Sequence, residues 1–201
     1  MATPGDVIGK VRDHYLKHFK EVLREKRRLP QAHLTLEPIV KMGSRTGMTP
    51  LREGALGLPR RQDLVISSGQ DPQLINIVMR RGVDFEPIDF EWTETTTVHV
   101  EPFRWEECRV RIPGMLAEDQ WAPLLDWFDK WFDEFENKVA LSRDFNEVIH
   151  SIGDPLLDTD STVVVVDLGS STLEAFEEML DAFTLLGATS IDVGDVAAQP
   201  E

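Results

Sequence analysis

The stretch that most constrains this chain is 162–194, TVVVVDLGSSTLEAFEEMLDAFTLLGATSIDVG. Val163–Val166 is an unbroken β-branched run, the pattern of a strand covered on both faces. Ser171 and Glu174 have capping-box spacing and predict a helix start. Leu173, Phe176, Met179, Leu180, Phe183 and Leu186 then recur at helical intervals, and Gly187 supplies a stop. Ser190–Val193 is a second short strand, so the segment reads as a βαβ unit.

A second unit of the same kind precedes it. Trp105–Ile112 alternates, with Cys108, Val110 and Ile112 on one side and Arg109 and Arg111 on the other. That places Cys108 as a small buried apolar residue rather than a nucleophile. A helix is predicted over about 118–137, with Trp121, Leu124, Leu125, Phe128, Phe132 and Phe135 as its buried stripe. Glu118 and Asp119 lie at the positive end of its dipole, and Pro123 falls in the first turn, where proline is tolerated. Trp131 flanks the stripe, Trp127 falls further round beside Glu134 and near Lys130, and Asp126, Asp129 and Asp133 line the outer face. Phe145–Ile152 is compatible with a strand and 153–160 with a turn-rich link. Strand, helix, strand, strand, helix, strand is the βαββαβ order of a ferredoxin-like sandwich. The expected class is therefore α+β: a ferredoxin-like domain over 103–201, and residues 1–102 as an amphipathic helix plus an irregular α+β extension packed on it.

In that N-terminal part, Asp6 to about Arg28 reads as a helix with Ile8, Val11, Tyr15, Phe19, Val22 and Leu23 on one stripe and a basic opposite face. This face is expected to dock on the acidic remainder of the chain. His14 and His18 stand four apart, but without a third ligand nearby they do not make a metal site. A strand is allowed over 33–41, with Pro38 confining it to an edge or bulge. Residues 43–61 hold four glycines, two prolines and four arginines and read as a mobile loop, without the Gly-Lys-Ser/Thr of a P-loop. A short strand is predicted at 63–67, a short helix at 72–81 between Asp71-Pro72 and Gly82, and a strand at 96–101 with Val98 and Val100 facing one way. Between them, 83–94 mixes carboxylates with Phe85, Phe90 and Trp92, as an edge strand does.

Charge narrows the function classes. The formal net charge is −15; residues 1–61 carry 13 of the 21 Lys+Arg and 6 of the 36 Asp+Glu, leaving 8 and 30 for the rest. An excess of 22 negative charges over the C-terminal two-thirds disfavours nucleic acid as a partner and favours a basic protein or solubility alone. No apolar run reaches the roughly 18–20 residues of a membrane span, no secretion signal is evident, and Cys108 is the sole cysteine. A cytoplasmic protein without a membrane partner is expected. Nucleophile elbow, HExxH and CxxC are all missing, so neither a catalytic residue nor a metal or other cofactor is assigned. His150 is expected to be a hydrogen-bonded strand histidine near Asp154.

Residues 147–194 resemble a recurring tail of bacterial polymorphic-toxin immunity proteins: Ile149, His150, Ile152, Asp154 and Pro155 at one strand end, Val166–Ser170 at another, and Leu185–Thr189 closing the helix. The resemblance implies a non-enzymatic cytoplasmic protein that binds a cognate toxin and blocks its active site. Acidic groups near exposed tryptophans suit the basic cleft of such an enzyme. The residues expected to bind the partner are Asp126, Trp127, Lys130 and Asp133, with Asp154, Asp158 and Asp160 of the link. The alternatives are an acidic nucleic-acid mimic inhibiting a DNA-binding protein, or a small ligand-binding regulator or enzyme on the same fold.

Overall fold

The computed structural model describes residues 3–30, 33–44, 47–67, 72–116, 120–137 and 145–195. It is a mixed α+β structure. In chain order the elements are α1 (Pro4–Lys26), β1 (His33–Leu36), β2 (Lys41–Ser44), β3 (Gly47–Pro50), β4 (Arg52–Glu53), β5 (Leu58–Pro59), β6 (Leu64–Ser67), β7 (Gln73–Ile75), β8 (Ile88–Glu91) and β9 (Thr97–Val100). After a 3-10 turn at Trp105–Glu107 come β10 (Cys108–Pro113), α2 (Ala122–Phe132), β11 (Ser151–Ile152), β12 (Leu156–Leu157), β13 (Ser161–Asp167), α3 (Leu173–Leu185) and β14 (Ser190–Asp195).

The main sheet runs β11-β13-β10-β14-β9-β8, with β12 also pairing β13. β10 is antiparallel to both β13 and β14, whereas β14 and β9 are parallel. The register lines up Val164, Val110, Val193, Val100 and Ile88 across five strands, and the four valines are almost wholly buried. One continuous apolar core joins this face to Leu124, Phe128 and Phe132 of α2, Phe176, Met179, Leu180 and Phe183 of α3, and Ile8, Val11, Tyr15 and Phe19 of α1. The opposite face is only partly covered: Val163 pairs with Leu156 of β12, and Val165 lines an open cleft. The boundary expected at 102/103 falls inside a shared sheet, because β9 pairs with β14, and α1 belongs to the same core.

Several elements depart from their predicted form. α1 begins slightly earlier, where Thr3 and Asp6 close a capping box. The cap of α3 is Thr172, which accepts from Ala175 N–H at 3.3 Å, one residue later than Ser171. Residues 72–81 hold β7 and no helix, because Ile75, Leu74 and Gln73 pair with β6, whose edge β-branched residues suit. Asp71, the expected cap, lies outside the described residues, as do Glu118 and Asp119. The expected loop over 43–61 contains two small hairpins, β2–β3 and β4–β5. α2 closes at Asp133, whose φ of 54° is left-handed, so Phe135 lies beyond the helix and is 86% exposed. Only Ser151–Ile152 of the 145–152 stretch forms a strand, although Phe145, Val148, Ile149 and His150 are all buried.

Candidate functional site

The residues expected to form one partner-binding patch have different fates. Asp126, Asp158 and Asp160 are exposed. Trp127, read from sequence either as a partner contact or as packed under the N-terminal segment, is 4% exposed and packs on α3, donating from Nε1 to Ala175 O at 2.8 Å. The reason is packing on two sides: α2 buries one flank in the sheet core and the next against α3, which widens its buried stripe. Lys130 is exposed but bonded to Glu178 at 2.6 Å. Asp133 is buried at the helix end, where its carboxylate accepts from Asn137 N–H at 3.0 Å and its carbonyl from Arg61 at 2.7 Å. Asp154 does not meet His150; it holds the β4–β5 hairpin by accepting from Ala55 and Leu56 N–H at 2.9 and 3.2 Å. Asp158 lies 3.9 Å from Arg111. Asp126 and Asp160 are thus exposed carboxylates without an ion pair among the described residues, whereas Asp154 and Asp158 are exposed but engaged within the chain.

His150 lies at the centre of a buried polar network that no spacing pattern announced. It is 1% exposed, with Nε2 2.9 Å from Glu37 Oε1 and Nδ1 3.2 Å from Asp63 Oδ1 and 3.7 Å from Asp167 Oδ2. Glu37 Oε2 accepts from Asn146 N–H at 2.8 Å. Asp63 accepts from Tyr15 O–H and from Ile77 N–H, both at 2.7 Å. Arg61 completes the wall, donating to the carbonyls of Phe132, Glu37 and Asp133 and stacking 5.0 Å over the Phe132 ring. The sequence signal that points to these groups is a lone acid in an apolar run, Leu36-Glu37-Pro38-Ile39 and Asp63-Leu64-Val65-Ile66.

The charges decide the protonation. Burial disfavours the imidazolium, but Asp167, Asp63 and Glu37 outweigh it and hold His150 well above the ordinary histidine pKa. Burial pushes Asp63 upward, yet the His150 imidazolium, Ile77 N–H and Tyr15 O–H bring it below its ordinary value. Asp167 is raised, chiefly by burial. Gly169, at φ 51°, leaves room for the ring: a Cβ there would collide with His150.

The network reaches solvent at Asp167, whose side chain is 26% exposed and lines a cleft of about 660 Å³ with Asp63, Glu106, Gln62, Asn76 and Ser151. Glu106 accepts from Met79 N–H at 2.6 Å through Oε1, while Oε2 is buried without a hydrogen-bond donor. Burial pushes its carboxyl up to about 7. A carboxyl raised on folding costs stability above that pH, and the cost fades as pH falls toward the ordinary glutamate range. Glu106→Gln is thus expected to stabilise the protein at pH 8 by about 1–2 kcal/mol, discounted for partial hydration, and to change nothing at pH 4.5. Paired urea titrations at the two pH values check this. Chemically the cleft is able to hold a proton near neutrality and to accept a cation. Among the described residues, no three His, Cys, Asp or Glu side chains are grouped to hold a metal ion. Cys108 is buried and burial pushes its thiol upward, away from the reactive thiolate.

The sheet ends at β8, and carboxylates crowd this edge. Asp84, Glu86, Asp89, Glu91 and Glu94 are all exposed. Asp89 pairs with His99 at 2.6 Å, and this bond raises the His99 pKa. The other four make no ion pair with any described residue. Phe90 and Trp92, on the same hairpin, are half-buried, and Trp92 Nε1 donates to Asp181 at 2.8 Å. No family model, curated protein or solved structure matches the chain. No described helix is long and apolar enough to cross a membrane.

Proposed function

We propose that this protein binds a cognate bacterial toxin and neutralises it by covering a basic active site, acting in the cytoplasm and performing no reaction itself. The observation that supports this reading most is the acidic edge at β8, where Asp84, Glu86, Glu91 and Glu94 have no cationic partner among the described residues. Carboxylates along an open edge also blunt self-association. Their number and their half-buried aromatic neighbours fit capture of a cationic surface, with charge raising the association rate and rings supplying local affinity. Asp126, Asp158 and Asp160 extend the acidic surface elsewhere. The central unit of the fold is read as ferredoxin-like, a reading supported by the order β14-β10-β13-β11 and its antiparallel pairing, with β9 and β8 as additions to that unit.

The test pairs this protein with the product of the adjacent reading frame. Asp89→Lys with Glu91→Lys is expected to weaken that complex by 100-fold or more and to slow association at low salt. Unchanged affinity in calorimetry would remove the β8 edge as the contact surface. The cleft at Glu106 and Asp167 favours one second reading, a small cationic ligand held there. A saturable ligand-dependent rise in melting temperature, lost in Glu106→Gln, would support it.

A further inference from the structure

We propose that the cavity between α1 and the segment after β7, about 610 Å³ and lined by His14, His18, Val78, Met79, Arg80 and Arg81, binds the phosphate group of a small anionic molecule. In a chain with 36 acidic residues, none of them lines this cavity. Several other cations are already paired with carboxylates: Arg52 with Glu134, Arg104 with Asp195 and Lys130 with Glu178. Arg80 and Arg81 are exposed and make no ion pair or side-chain hydrogen bond with any described residue.

The neighbouring groove on α1 is a useful contrast. It collects Arg12, Lys17, Lys20 and Arg24, but Asp13, Glu21 and Glu147 line it as well and neutralise much of its field. His14 and His18, one turn apart, present their rings on one helix face. The opposite wall is pinned on both sides of the arginines: Met79 N–H donates to Glu106 at 2.6 Å, and Gly82 packs against the Phe103 carbonyl so closely that a Cβ would lie 2.9 Å from it. Two anchored adjacent guanidinium bases and two imidazoles are the donor set that planar, charge-assisted phosphate recognition uses. Val78, 59% exposed, offers an apolar wall to the rest of the ligand. A polyanion is disfavoured, because it would run onto the acidic remainder of the surface, whereas a small anion within a Debye length of about 8 Å feels the local cations.

Inorganic pyrophosphate titrated into the full chain at constant ionic strength provides the test, with imidazole NMR signals of His14 and His18 as the readout. Saturable shifts are expected, weakened at least tenfold by Arg80→Ser with Arg81→Ser. Because both side chains are exposed, that variant should keep the parent melting temperature. Lys20→Ser in the neighbouring groove should leave the affinity within twofold. An equal response to sodium chloride, an undiminished affinity in the double variant, or an equal loss in Lys20→Ser would each overturn the assignment.

Discussion

Replacing His150 by leucine is expected to destabilise the protein by about 3–5 kcal/mol at pH 8, because Glu37 and Asp63 then remain buried without their cation. The pH dependence distinguishes this cause from simple loss of packing. A histidine whose pKa is raised on folding contributes stability that is fully present below its ordinary pKa and is lost as pH rises through the raised value. Asp63, held below the ordinary aspartate value, contributes stability present above that range and lost as pH falls through its lowered pKa. As pH falls the parent regains the His150 contribution and the variant has none to regain, so the deficit relative to the parent should widen between pH 8 and pH 5. Urea titrations across that interval measure it. Parallel stability curves would show that the network is not held by charge.

The second large effect concerns Trp127. Its truncation to alanine is expected to cost about 3–5 kcal/mol, through the void between α2 and α3 and the loss of its donor to Ala175 O. At a urea slope of about 2 kcal/mol per molar, that lowers the unfolding midpoint by roughly 2 M. Asp126→Ala, one residue away and exposed, should stay within about 0.5 kcal/mol of the parent. A Trp127 variant as stable as the Asp126 variant would mean that the ring is not packed as described. Weaker partner binding by Trp127→Ala is accordingly expected to reflect altered α2–α3 packing, whereas substitutions at Asp89 and Glu91 test the surface directly.

These two residues show where local patterning stops being informative. Trp127 sits at a helical angle that looks open when α2 is considered alone; α3 closes it, and no periodicity within one helix reports what a second helix covers. The same limitation affected 72–81. Asp71-Pro72 and Gly82 are sound helix punctuation, but an available edge on β6 drew Gln73–Ile75 into a strand. Likewise, the glycine- and proline-rich 43–61 stretch forms hairpins, one of them anchored by a carboxylate about a hundred residues away in sequence, Asp154.

The elements whose apolar residues recur at one clear period were legible from the amino acids alone: α1, α3, β10, β13, β9 and the burial of Cys108. So was the acidic character of everything beyond residue 61. Each depends on neighbours within a few positions, where side-chain direction follows directly from backbone geometry. Tertiary structure alone brought Glu37, Asp63, His150 and Asp167 together from four separated segments, and set His14 and His18 opposite Arg80 and Arg81. Such assemblies follow from how strands order themselves in a sheet, and that order is decided by burial of the shared core rather than by any residue's local preference.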